Sequence, residues 1–232
     1  MSLPKIDAPL FDLTIPSTKK EVKFRPFTVK EEKVLLIAKE SKDIKQVIDS
    51  IKQIINNCLI GDVDVEKLAL FDLEYLLLQI RAKSVDDIVD FTIRDPETNE
   101  EIELTLDIDK MKIEDTDQSK EIKVDDKVTL FMRYPSFSEL EKIVEAQTNQ
   151  LLLFDVLIDC IDYVVSEDQI YYLRDFEQTE IIEFAESLSP KTIESIKKFF
   201  ENIPKLRYDI PYRNSKGEDK IFVIEGTDSF FI

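Results

Sequence analysis

The chain has 232 residues and a formal net charge of −18, from 31 Lys and Arg against 49 Asp and Glu; so acidic a balance speaks against a nucleic-acid partner, whose phosphates need a basic footprint. It has no His and only three Gly, which excludes Ser–His and Cys–His nucleophiles, His-ligated metals and a phosphate-cradling glycine loop. Hydrophobic residues make up 43%, enough for a core, yet Asp155, Asp159 and Asp162 break the longest apolar stretch, so no membrane span is expected.

The predicted elements begin with LFDLTIPSTKKEVKFRPF, two short strands around a polar turn at Ser17–Lys20. Pro26 ends the second strand, and Thr28 precedes Glu31 by three, the capping-box spacing, so a helix runs to about Glu40. A second helix is expected over 43–58 and ends by Gly61. Asp64 is read as the cap of a third helix, VEKLALFDLEYLLLQIRAK, apolar nearly all round and therefore central. IVDFTIRDPETNEEIELTLDI reads as a hairpin, and MKIEDTDQSK as a charged connector.

The plan then restarts. EIKVDDKVTLFMRYP is a hairpin turning at Asp125–Asp126, ended by Pro135, and Ser136 with Glu139 forms a second capping box. Helices are expected at 137–149 and 150–165, followed by an extended QIYYLRD. Asp175 with Gln178 opens a helix to Leu188, and Ser189-Pro190 opens another. KLRYDIPYRNSKGEDKIFVIEG closes the chain as a hairpin. FRPFTVKEEKVLLIAK at 24–39 and MRYPSFSELEKIVEAQ at 132–147 thus repeat one device, 108 positions apart: Arg, Pro, a hydroxyl residue, then Glu. The fold expected is α+β, mainly helical with short antiparallel strands. Two related halves, 1–110 and 111–232, would each read hairpin–helices–hairpin within one compact unit.

Candidate chemistry is sparse. DTDQSKEIKVDD at 115–126 spaces Asp115, Asp117 and Ser119 like a calcium loop, but Lys120 stands where the turn needs Gly and Asp126 where a bidentate Glu belongs. Asp155, Asp159 and Asp162 fall at i, i+4 and i+7, either a cation site or the wet edge of a buried helix. No metal, cofactor or enzyme activity is expected from these clusters; a metal-dependent hydrolase is the outside alternative. Lys19, Lys20, Lys23, Arg25, Lys30 and Lys33 form a basic island, read as an ion-paired solvated face or as a docking surface for an acidic partner. The tail GTDSFFI ends in Phe230, Phe231 and Ile232, which would tuck into the core or pack on a partner. Lys23, Arg25, Lys30, Lys33, Phe230 and Phe231 are therefore the candidate partner-binding residues. Cys58 and Cys160 lie in apolar helical patterns and read as buried thiols of a reducing compartment. The N-terminus lacks the blocks of a signal peptide, so a cytoplasmic protein is expected.

PKIDAPLFDLTIPSTKKEVKFRPFTVKEEKVLLIAKES, with IKQIINNC and FDLEYLLLQIRAKSV after it, resembles the baseplate hub assembly proteins and hub subunits of T-even-type tailed phages. KFRPFTVKEEKVLL carries the likeness most strongly, IRAKSV next, and it continues through FFENIPKLRYDIPY. Some members of that family have Cys pairs in the hairpin turns that suggest zinc knuckles. Here the turns read RDPETNEE and RNSKGEDK, without Cys, so no metal carries over. The resemblance implies a non-enzymatic assembly chaperone that contacts tail and baseplate hub proteins in the host cytoplasm. The alternative it implies is a structural hub subunit kept in the virion tail baseplate, within a hub oligomer.

Overall fold

Apolar and polar residues alternate in FDLT and EVKF, and the two segments pair antiparallel as β1 (Phe11–Thr14) and β2 (Glu21–Phe24), with Phe11 opposite Phe24. The computed structural model describes residues 6–41, 43–114, 116, 118–146 and 149–225. Two helices follow, α1 (Val29–Ser41) and α2 (Ile44–Cys58). Asp43 caps α2, its carboxylate accepting from the Lys45 amide at 2.9 Å. The apolar stripe of α2 buries Ile54, Ile55 and Cys58, and Ile54 and Cys58 pack against Phe24 and Ile80. β3 (Leu59–Ile60) then returns to β2 and completes a three-stranded sheet.

The third helix is shorter than expected. Asp64 caps only a 3₁₀ turn at Val65–Lys67, the chain is extended at Leu68 and Ala69, and α3 runs from Leu70 to Ser84. The extended link buries Val65, Leu68 and Ala69 together. It also sets Asp72, fully buried, beneath the β1–β2 turn, where its carboxylate accepts from the Ser17 amide at 2.9 Å and from the Ser17 hydroxyl. Burial pushes the Asp72 carboxyl above its usual range in spite of these bonds. A carboxyl raised on folding is a stabilising group when protonated and a cost when ionised. Asp72→Asn is therefore expected to raise the melting temperature at pH 7, with the gain shrinking as pH falls toward the ordinary carboxylate range. Asp72→Ala is expected to lower the stability by about 1–3 kcal/mol, and the melting temperature with it, because the Ser17 groups lose their acceptor. Thermal melts of both variants at pH 7 and pH 4 check the pair.

β4 (Ile88–Arg94) and β5 (Glu101–Asp107) form a hairpin in full register, its turn tied by Asp95, which accepts from the Glu97 and Thr98 amides. The expected connector contains a short strand instead, β6 (Lys112–Glu114).

Next come β7 (Glu121–Lys123), β8 (Val128–Met132), α4 (Leu140–Ala146) and α5 (Gln150–Asp159). The helix expected over 150–165 stops at Asp159. The β-branched and aromatic run IDYVVS suits a strand and forms β9 (Ile161–Ser166) between β8 and β10 (Gln169–Tyr172). Asp162 accordingly lies on a strand, apart from the helical face carrying Asp155 and Asp159. α6 spans Gln178–Ser187, and its capping box is Glu177 with Glu180 rather than Asp175 with Gln178. α7 (Pro190–Glu201) starts on Ser189, whose hydroxyl accepts from the Thr192 amide at 3.1 Å. Leu130, Cys160, Val164, Ile196 and Phe199 centre this core.

β11 (Lys205–Arg213) and β12 (Asp219–Glu225) make the last hairpin, and β6 pairs with the first residues of β11. Pro211 lies beyond the reach of β6, where β11 needs no donor on that side. The hairpin's companion is β4–β5. Leu104, Leu106, Leu206, Ile210 and Ile224 share a core, Phe91 faces Phe222 at 5.8 Å, and the Tyr212 hydroxyl donates to Asp95 at 2.8 Å. Two compact units result, one from the described residues of Met1–Glu114 and Lys205–Ile232, the other from those of Asp115–Pro204. This division differs from one at residue 110, because β11–β12 buries its apolar face against β4–β5. The architecture is α+β with short antiparallel strands, and no described helix is long and apolar enough to cross a membrane.

Candidate functional site

Arg25 leaves β2 at the point where the chain must turn into α1. Its backbone amide donates to the Cys58 carbonyl at 2.9 Å, and its guanidinium donates to Glu31 at 2.9 Å and to the Pro26 carbonyl at 2.8 Å. Glu31, almost wholly buried, also accepts from the Thr28 amide at 2.8 Å and the Thr28 hydroxyl at 2.5 Å. Burial alone would raise the Glu31 carboxyl; Arg25 and Thr28 outweigh it and hold the group at about 2. The same assembly recurs in the other unit. The Arg133 amide donates to the Cys160 carbonyl at 2.8 Å, its guanidinium takes both oxygens of Glu139 at 3.0 and 3.1 Å, and Ser136 donates to Glu139 through amide and hydroxyl, each at 2.7 Å. Glu139, pushed up by burial but held by Arg133 and Ser136, also lies at about 2. Burial lifts the Cys58 thiol to about 11 and the Cys160 thiol to about 12, so neither is a reactive thiolate at neutral pH.

These contacts sort the basic island. Arg25 is a strut that joins strand exit, helix start and the end of α2. Lys23 pairs with Asp12 at 3.1 Å, and Lys20 donates to the Asp62 carbonyl at 2.7 Å. Lys30 and Lys33 are exposed and make no ion pair among the described residues. They share one face of α1 with Val29, Leu36 and Ile37, which are 64%, 56% and 66% exposed. Glu40 closes the C-terminal end of that face. At the same spacing the second assembly carries Phe137, which is buried, then Glu141, half-buried Val144, and Glu145. The repeated device therefore does not itself require exposed apolar and basic residues; α1 presents them in addition.

Sequence reasoning singled out the lysines and missed Val29, Leu36 and Ile37. The signal was present in Val34-Leu35-Leu36-Ile37, four consecutive apolar residues, more than one helix face can bury. Phe230 and Phe231 lie outside the described residues, as do Asp115 and Asp117 of the calcium-like loop. Asp159 pairs with Lys142 at 2.5 Å, while Asp155 is exposed on α5. Among the described residues no group of three or more His, Cys, Asp or Glu is placed to hold a metal ion.

An exposed helix face with two lysines that make no ion pair among the described residues, beside three large apolar side chains, is suited to protein contact. No curated protein and no solved structure matches the chain. The family model described as T4 bacteriophage base plate protein matches residues 8–232, across both compact units, and the chain belongs to that family of phage baseplate proteins.

Proposed function

We propose that this baseplate protein is a non-enzymatic assembly chaperone of the baseplate hub, and that it captures a hub protein through the outward face of α1. The observation that carries this reading is the face itself: Val29, Leu36 and Ile37 exposed beside Lys30 and Lys33. Apolar area supplies the affinity of such a contact, and two lysines on a chain of −18 select an acidic partner surface. The role is exercised in the host cytoplasm, before the tail is complete, and uses neither metal nor nucleic acid.

The two stations, built alike from Arg, Ser or Thr, Glu and a Cys carbonyl, support a relation between the halves of the chain. On this reading each copy contributes a hairpin, a helical layer and a final hairpin, and the two final hairpins have come together in the first unit.

The charge-reversed double variant Lys30→Glu, Lys33→Glu is expected to lower capture of hub proteins from infected-cell lysate about tenfold or more at moderate salt, with an unchanged melting temperature. Undiminished capture would count against the α1 face. Deletion of the gene is expected to abolish complete tails; normal tails and full infectivity would remove the assembly role altogether.

A further inference from the structure

The second unit has an apolar groove at one edge of its four-stranded sheet, with a volume of about 340 Å³. Val164 and Tyr171 form the sheet wall, and Phe176, Ile181 and Phe184 the opposite one; Glu180 is the charged residue of the lining. The sheet order is β10-β9-β8-β7, so β10 is an edge strand. The β9–β10 turn has two residues, Glu167 and Asp168, both with positive φ. Such a turn makes Ser166 and Gln169 the hydrogen-bonded pair, and it points the amide and carbonyl of Ile170 away from β9.

Edge strands are ordinarily blunted by charge, proline or a bulge. The opposite edge, β7, is Glu-Ile-Lys and follows that rule. β10 reads Gln-Ile-Tyr-Tyr, with no charge and no proline, and Ile170 is 55% exposed. An added strand would bond to Ile170, and its residue opposite Tyr171 would point to the same sheet face as Tyr171, which is the face of the groove. Edge and groove thus form one receptor: backbone bonds from β10, an apolar slot beside it, and a carboxylate in its lining.

We propose that β10 and this groove receive an extended segment of another protein, added as a strand, with one large apolar side chain in the slot and, two residues from it on the same sheet face, a Lys or Arg facing Glu180. The site is separate from α1 and does not depend on the reading of that face. Two terminally blocked fluorescent peptides test it on the full chain: one alternates Thr and Leu with Lys in place of the Leu on either side of the central one, so that the Lys share its sheet face, and the other has Glu in place of Lys. Saturable binding of the Lys peptide is expected, about tenfold tighter than that of the Glu peptide and weakened about tenfold by Ile170→Pro. Because Ile170→Pro could also disturb β10, hydrogen exchange of the native protein is read in parallel, and the Ile170 amide is expected to gain protection when the peptide binds. Lack of saturable binding up to millimolar peptide overturns the proposal, as does binding that leaves the Ile170 amide unprotected. A concentration-dependent dimer that displaces the peptide would assign the edge to a second copy of this chain and overturn it equally.

Discussion

Glu139→Ala is expected to destabilise the unit formed by the described residues of Asp115–Pro204 by about 1–3 kcal/mol, the cost of leaving part-buried charged and polar groups without their hydrogen-bond partner. Arg133 is held between the two Glu139 oxygens, the Asp159 carbonyl at 2.7 Å and the Tyr134 carbonyl at 3.4 Å. Without Glu139 the half-buried cation loses its counter-charge, and Ser136 loses the acceptor that starts the helix. Glu139→Gln retains an acceptor and should cost less. Replacing both partners, Arg133→Met with Glu139→Leu, should cost less than Glu139→Ala, because no uncompensated charge remains. Urea unfolding followed by far-UV circular dichroism measures the series, since the chain has no Trp. A loss below about 1 kcal/mol for Glu139→Ala would mean that the pair is a surface ornament rather than a strut.

Acid should act on both units through the same device. Glu31 and Glu139 lie at about 2 in the folded chain, against an ordinary value of 4.5. A carboxyl depressed on folding stabilises the fold at pH values above its unfolded pKa, and the contribution is lost as pH falls through the folded one. Stability should therefore decline between about pH 4.5 and pH 2, by on the order of 3 kcal/mol for each carboxylate. Asp72 runs the other way, gaining as it is protonated, but it is a single group in one unit. Glu31→Gln and Glu139→Gln together are expected to flatten the acid limb while lowering stability at pH 7. An acid limb as steep in the double variant as in the native chain would contradict the assignment.

Much of the fold was legible because its punctuation is chemical. Pro26 and Pro135 stop strands, Asp43 and Ser189 start helices, and the Asp95 and Asn214 turns close hairpins through side-chain acceptors on backbone amides. The errors fall where tertiary packing overrode local pattern. LLLFDVLIDCIDYVV is apolar enough to suit a buried helix or a buried strand, and only pairing with β8 and β10 ends the helix at Asp159. β6 is three residues long and exists because β11 offers it an edge. The two final hairpins share one core, a long-range choice that composition and periodicity do not encode. In the candidate site, charge was readable but pairing was not. Lys23, Arg25, Lys30 and Lys33 look alike in sequence, yet Asp12 and Glu31 occupy the first two and leave the last two outward.

Quantitative mass spectrometry of this protein in purified mature particles, set against the lysate they came from, tests the proposed transient role in building the baseplate hub most directly. Abundance in the lysate and in incomplete tail intermediates, with loss from the finished particle, is the expected result. A fixed copy number in mature particles would contradict it and make the protein a structural subunit of the baseplate.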